Sequence, residues 1–227
     1  IKQLAGEHKR HYRIRNQLLL QGVGAEAWHS DNGYRGLNLY FYAPAESQWY
    51  CYTELRSPHQ VDFDWSPSVA YQESNWAGIP LQQMAGASIE CQQLWCSEDR
   101  QISNREGTKL SLTTTPHKAI DYLPITTHYR DLPHIISKLQ ALDPTIFTPR
   151  QAIIVQASEL DKPSFNSSQS CWEQYLSDTE GKKLLMLIEL NNQHAQKAMK
   201  QLNTAYKRRQ KLNLVFGFLE CRERTII

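Results

Sequence analysis

The side chains able to do covalent, acid–base or metal chemistry in this chain are eight histidines, five cysteines and a few closely spaced carboxylates. Their spacing assembles none of the usual machinery. No Gly-x-Ser-x-Gly turn presents a nucleophilic serine, and no cysteine stands beside local charges that would lower its pKa. His8 and His11 are three residues apart and fit one helix face, yet no His-Glu-x-x-His pattern and no third ligand joins them. Asp62 with Asp64, and Glu98 with Asp99, could exchange protons or hold a cation, but in β-rich chains such pairs are usually solvated loop residues. Gly22-Val-Gly24 lacks the third glycine and the following helix of a dinucleotide turn, so a β-bulge is the better reading. The chain reads as non-catalytic, with no cofactor and no metal.

What remains is charge and aromatic surface. The formal charge of +2 is unevenly spread: residues 1–22 carry a net +4, residues 192–227 a net +6, and the stretch between them −8. Basic ends around an acidic centre attract a polyanion, or attract the centre itself. Lys197, Lys200, Lys207, Arg208, Arg209 and Lys211 crowd one terminal helix and form the expected nucleic-acid-binding set. Tyr40, Tyr42, Tyr50 and Tyr52 are assigned to an exposed sheet face, where they could stack bases. The competing reading has the helix face merely solvated and the tyrosines packed under the 57–80 loop.

The elements that must carry these residues are mostly strands. Period-two alternation runs from Leu18 to Ala27, from Leu37 to Tyr42 and from Trp49 to Leu55, separated by Ser30-Asp-Asn-Gly33 and Pro44. Echoes of the first hairpin recur at Trp95-Cys-Ser97-Glu98 with Gly107, and at Tyr175-Leu-Ser177-Asp178 with Gly181. A turn repeated three times is better explained as a way of building hairpins than as a site. Residues 57–80 are aromatic and proline-rich, which suits a packed loop with a short helix covering a barrel end. Five strands with that insertion suit a small barrel of OB or related type.

The second half follows a different plan. Residues 132–142 form an amphipathic helix entered at Asp131 and closed by Asp143-Pro144. Strands follow at 151–157 and around the third hairpin. The clearest helix of the chain then runs over 191–209, with Ala195, Met199, Leu202 and Tyr206 on one stripe. The expected organisation is a β-barrel-like domain over 1–115 with a basic, helical lead-in, a linker over 116–130, and a smaller α+β domain over 131–227.

Two resemblances attach to particular residues. Gly24-Ala-Glu-Ala-Trp with Gly36-Leu-Asn-Leu, Trp76-Ala-Gly, Gly86-Ala-Ser-Ile, and Asp178-Thr-Glu-Gly with Leu214-Val-Phe-Gly are similar to the region following the zinc motif of bacterial SWIM zinc-finger proteins. That likeness implies an adaptor engaging nucleic acid or a partner protein; the family's Cys/His cluster is absent here. The basic lead-in before Ser30 and Gly33 resembles the PilZ family of cyclic-di-GMP receptors. Lys9 and Arg13 stand where its paired arginines would be, and Trp28 replaces an acid or amide. The resemblance implies that Lys9, Arg10 and Arg13 clamp the phosphates of a cyclic dinucleotide.

Localisation follows from what the chain lacks. It shows no secretory signal and no apolar run near the roughly 20 residues a bilayer span requires. Its odd number of cysteines, without metal spacing, points to free thiols and the cytoplasm. Because the chain opens on Ile1, it is expected to be a fragment.

Overall fold

The computed structural model describes residues 11–60, 65–113, 123–140, 150–189, 193–208, 214–222 and 225–226. The chain is β-rich and divides into two compact units, Ile1–Leu123 and Pro124–Ile227.

The first unit holds β1 (Arg13–Arg15), β2 (Leu18–His29), β3 (Arg35–Ala43), β4 (Gln48–Arg56), α1 (Pro67–Glu73), β5 (Asn75–Trp76), β6 (Ile79–Pro80), α2 (Leu81–Met84), β7 (Ser88–Cys96), β8 (Gln101–Ile102) and β9 (Lys109–Leu112). β2, β3 and β4 form an antiparallel meander, β2 pairs antiparallel with β7, and β8 pairs parallel with β4. Since β7 also pairs with β8, the hydrogen-bonded path β2-β3-β4-β8-β7 returns to its first strand. β1 and β9 extend the pairing along β7. The described end of the basic lead-in is therefore strand, not the helix expected.

β2 serves two neighbours over different parts of its length. β2 pairs with β7 over residues 18–21 and with β3 from Gln21 onward, and a bulge lies between Gly22 and Gly24. Gly22 sits where the Met84 carbonyl crosses the strand: a Cβ there would lie 1.7 Å from that oxygen. Its N–H donates to Ala87 O at 2.8 Å. Leu20, Leu39, Phe41, Tyr50, Tyr52, Ile89 and Leu94 fill the interior. Ala70, Trp76, Leu81 and Met84 join the same core from the connection between β4 and β7. α1 is started by Ser66, whose side chain accepts from Val69 N, and by Pro67 in its first turn.

The second unit holds β10 (Ile125–Thr126), a 3-10 turn (Tyr129–Asp131), α3 (Leu132–Gln140), β11 (Arg150–Gln156), β12 (Glu159–Leu160), β13 (Ser164–Asn166), β14 (Cys171–Ser177), β15 (Lys183–Glu189), α4 (Gln193–Lys207), β16 (Leu214–Arg222) and β17 (Thr225–Ile226). β11 lies between β10 and β16, while β14 pairs with β12, β13 and β15. Tyr129, Leu132, Ile153, Val155, Leu176, Leu184 and Leu219 share its core. Part of the expected linker is thus built into this unit, since Ile125 and Thr126 pair with Ile154 and Val155. Residues 116–122 of that linker lie outside the described residues.

Candidate nucleic-acid interface

The register of the meander sets side chains in rows on the outer face of the first unit. Trp28, Gly36 and Leu55 form one row; Glu26, Asn38 and Thr53 the next; Gly24, Tyr40, Cys51 and Gln101 the third; Gln21, Tyr42 and Trp49 the last. This parity follows from Leu37, Leu39 and Phe41 facing inward, at 3%, 0% and 0% exposure. Tyr50 and Tyr52 share their inward parity and are buried at 1% and 3%, so they are not the exposed stacking residues expected. Tyr52 stacks on Trp76 at 4.7 Å instead. Tyr40 and Tyr42 do face outward, yet each is only 8% exposed. The sequence could not separate the two sets, because aromatic residues stand at both parities from Trp49 to Tyr52.

Asn38 is the hub of the face. Its Oδ1 accepts from Trp28 Nε1 at 3.1 Å and Thr53 Oγ1 at 2.9 Å. Its Nδ2 donates to Tyr40 OH at 3.1 Å and Glu26 Oε2 at 3.4 Å. Tyr40 OH donates to the same Glu26 oxygen at 2.6 Å, and Gln101 Nε2 donates to Thr53 Oγ1 at 2.9 Å. The amide of Asn38 is fully committed, which fixes the rotamers around it. Trp28 is fixed twice, by this bond and by Gly36. A Cβ at Gly36 would lie 2.3 Å from two ring atoms of Trp28, so the indole packs directly over the glycine. The residue is half-buried.

Cations stand at one end of the meander, at the parity of Leu37 rather than that of Trp28. Arg35 and Arg56 are cross-strand partners whose guanidinium groups lie 5.8 and 5.4 Å from the centre of the Trp65 ring. Arg35 Nη1 also donates to Trp65 O at 3.2 Å, and Arg56 pairs with Glu54 at 3.3 Å. At the other end, Arg15 and the Tyr50 hydroxyl both engage Glu46, at 3.3 and 2.6 Å. Burial, then the Glu46 carboxylate, pushes Tyr50 up to about 12, so it serves as a neutral donor. Burial likewise pushes the Cys91 thiol up to about 12 and raises Cys96, which suits packing rather than nucleophilic attack. Cys51, Cys91, Cys96 and Cys171 form no disulfide among the described residues.

Of the residues expected to bind a cyclic dinucleotide, the described ones, Arg13, Ser30 and Gly33, are not brought together. Arg13 lies on β1 opposite Cys96 and pairs with Glu98 at 3.2 Å. Ser30 and Gly33 form the β2–β3 turn: Ser30 Oγ accepts from Tyr34 N, and Gly33 has a φ of +79°. Arg15, two residues from Arg13, engages Glu46 in the β3–β4 turn, at the far end of β3 from Ser30. The nine residues of β3 span roughly 30 Å at 3.3 Å per residue. Lys9 and Arg10 lie outside the described residues. On α4, Lys200 and Lys207 are exposed, as is Arg208 just past its end, while Met199 is buried, as an amphipathic helix requires. The side chain of Lys197, and Arg209 and Lys211 altogether, lie outside the described set. Trp28, Asn38, Thr53 and Gln101 were not legible as a site, because only strand register aligns them.

His128, Asp178 and Glu180 also converge, each with one ligand atom within 4.8 Å of the others. Asp178 already accepts from the backbone N–H groups of Tyr129, Glu180 and Lys182 at 2.8–2.9 Å. Arg130 takes Glu180 at 3.2 Å. This arrangement is a turn anchor rather than an open coordination site. Among the described residues no helix is long and apolar enough to cross a membrane.

No protein-family model matches the chain, and no curated protein matches it; neither result bears on the SWIM or PilZ resemblance. Among solved structures the chain is similar to the tetrameric p202 HIN2, with 8% identity and a TM-score of 0.32, over 83% of this chain and 76% of that one. It is also similar to a replication protein A heterotrimer bound to single-stranded DNA, with 11% identity and a TM-score of 0.35. That alignment covers 100% of this chain but 50% of the other, so the chain spans half the length of that relative.

Proposed function

We propose that the chain is a non-catalytic binding module for single-stranded nucleic acid, and that the first unit is an OB-type barrel binding it on the outer face of β2, β3 and β4. The connectivity supports the barrel: a three-stranded meander, a helical connection, and a two-stranded hairpin whose last strand lies parallel to the third of the meander. In OB barrels the second and third strands and their flanking loops carry oligonucleotides. Connectivity alone does not carry function. The observation that does is Trp28, packed over Gly36, pinned by Asn38 and half-buried on the outer face.

A base stacked on Trp28 would meet Leu55, which is 46% exposed, in the same row. Thr53 and Gln101 lie in the neighbouring rows with hydrogen-bonding capacity left over. The exposed Lys200, Lys207 and Arg208 would add long-range attraction for a polyanion.

The test is fluorescence anisotropy of a labelled oligothymidylate titrated with wild type and Trp28→Ala. Stacking on an aromatic contributes about 1–3 kcal/mol per base, so the variant should bind roughly 5- to 100-fold more weakly. Absence of binding by the wild type, or an unchanged affinity in a folded Trp28→Ala, overturns the proposal.

A further inference from the structure

We infer that β15 is the pairing edge of a homodimer, joined antiparallel to β15 of a second copy of this chain. The two units, each taken by itself, share one order of pairings. In the first, β2 leads into the β3–β4 hairpin and pairs back with β7, the strand that follows the helical connection. In the second, β11 to β13 lead into the β14–β15 hairpin, and β11 pairs back with β16, the strand that follows α4. β15 therefore holds the place of β4. The far edge of β4 is paired by β8, whereas among the described residues the far edge of β15 pairs with nothing.

That edge carries none of the usual guards. β15 keeps register with β14 through all seven residues, without a bulge. Its sequence, Lys-Leu-Leu-Met-Leu-Ile-Glu, holds no proline and no charge between its two ends. A straight apolar edge of this kind is a template for another strand. Both faces of β15 are apolar. Leu184 is 7% exposed and Met186 packs on the core of the unit. Leu185 and Leu187 are half-buried on the opposite face, where Leu185 is the cross-strand partner of the exposed Tyr175.

The strand is complementary to itself, which identifies the occupant. Antiparallel pairing centred on Met186 sets Leu185 opposite Leu187 of the second copy and Leu184 opposite Ile188 of the second copy. It also sets Lys183 opposite Glu189 at both ends, an opposite-charge pair. Parallel pairing in register would instead set lysine beside lysine and glutamate beside glutamate. A slip of one residue would turn the core-facing side chains of the second copy to the outer face. On that face the favoured register runs Tyr175 and Leu185 of one copy into Leu187 of the other, twice over. Because the contact is isologous, the two edges close on each other and the assembly stops at two.

The test is sedimentation velocity of the full chain. It should show the dimer mass at about 100 µM and the monomer mass at about 1 µM, since unpaired strand edges associate at micromolar to millimolar concentrations. Leu185→Lys with Leu187→Lys sets lysine opposite lysine across the interface and should leave a monomer at the higher concentration. Leu185→Lys with Leu187→Glu sets opposite charges there and should restore the dimer, with folding of both double variants checked by thermal melting. A wild type that stays monomeric, a dimer that survives the lysine pair, failure of the lysine–glutamate pair to restore it, or an assembly larger than two overturns the proposal. Should either variant fail to fold, hydrogen exchange of the wild type decides. Protection of the peptide spanning 183–189 that is lost on dilution upholds the pairing, and protection independent of concentration overturns it.

Discussion

At the scale of single residues, the most constrained positions are those where backbone or charge leaves no alternative. Gly22 is one, because the Met84 carbonyl occupies the space of its Cβ. Gly22→Ala is expected to destabilise the first unit by about 1–3 kcal/mol or more, measured by urea unfolding. Asp178 is the other. Burial raises its carboxyl, but the backbone N–H groups of Tyr129, Lys182 and Glu180, with His128 nearby, outweigh burial and hold it below the ordinary carboxylate range. A depressed folded value means that its contribution is complete above the unfolded value of 3.8 and is lost as the pH falls through the folded one. Asp178→Ala leaves a buried Tyr129 N–H without its acceptor and should cost about 1–3 kcal/mol near neutral pH. The same substitution should flatten the acid limb of the stability profile. An unchanged limb would show that other carboxylates govern acid unfolding.

At the scale of elements, the three hairpin turns are one device. In each, an anchor residue donates its N–H to the carbonyl four positions on, and its side-chain oxygen accepts the N–H from that same residue. The anchors are Ser30, Ser97 and Asp178, facing Tyr34, Gln101 and Lys182. The residue three positions after each anchor lies in the left-handed region: Gly33, Arg100 and Gly181, at φ of +79°, +63° and +76°. This is a type I turn closed by a left-handed residue, a common three-residue hairpin loop. The sequence echo was visible, but its alignment slips: the second turn uses Arg100 rather than Gly107, and the third is anchored by Asp178 rather than Ser177. Arg100→Gly should therefore raise stability, and Gly181→Ala should lower it, each by about 1–2 kcal/mol. Differential scanning calorimetry of the two variants tests the pair, and a destabilised Arg100→Gly would mean that its side chain matters more than its backbone.

At the scale of the whole molecule, charge sets how the chain would meet a polyanion. Binding to single strands should weaken with salt, with a logarithmic slope of about −0.7 for each phosphate neutralised. Replacing Lys200, Lys207 and Arg208 with glutamine should weaken binding uniformly across sequences and make that slope shallower by about 2. Trp28→Ala should lower affinity while leaving the slope nearly unchanged, since a stacking contact releases no counterions. Identical salt slopes in wild type and the triple variant would remove the helix from the interface and leave the proposed sheet face.

The sequence by itself determined the strands of the meander, the bulge at Gly22 and Gly24, the inward set Leu37, Leu39 and Phe41, and the amphipathic character of the last helix. Each is written in local periodicity, and local periodicity is a backbone property that neighbours in the chain share. Only the tertiary structure decided which aromatics became surface and which became core. Trp49, Tyr50, Cys51 and Tyr52 suit either face of a strand, and the pairing of Tyr42 with Trp49 turned Tyr50 and Tyr52 inward. Trp28 over Gly36, Asn38 between Trp28 and Thr53, and Glu54 beside Trp76 each join residues far apart in the chain. Cross-strand register brings such groups together, and register is fixed by the packing of the whole sheet rather than by any one stretch of residues.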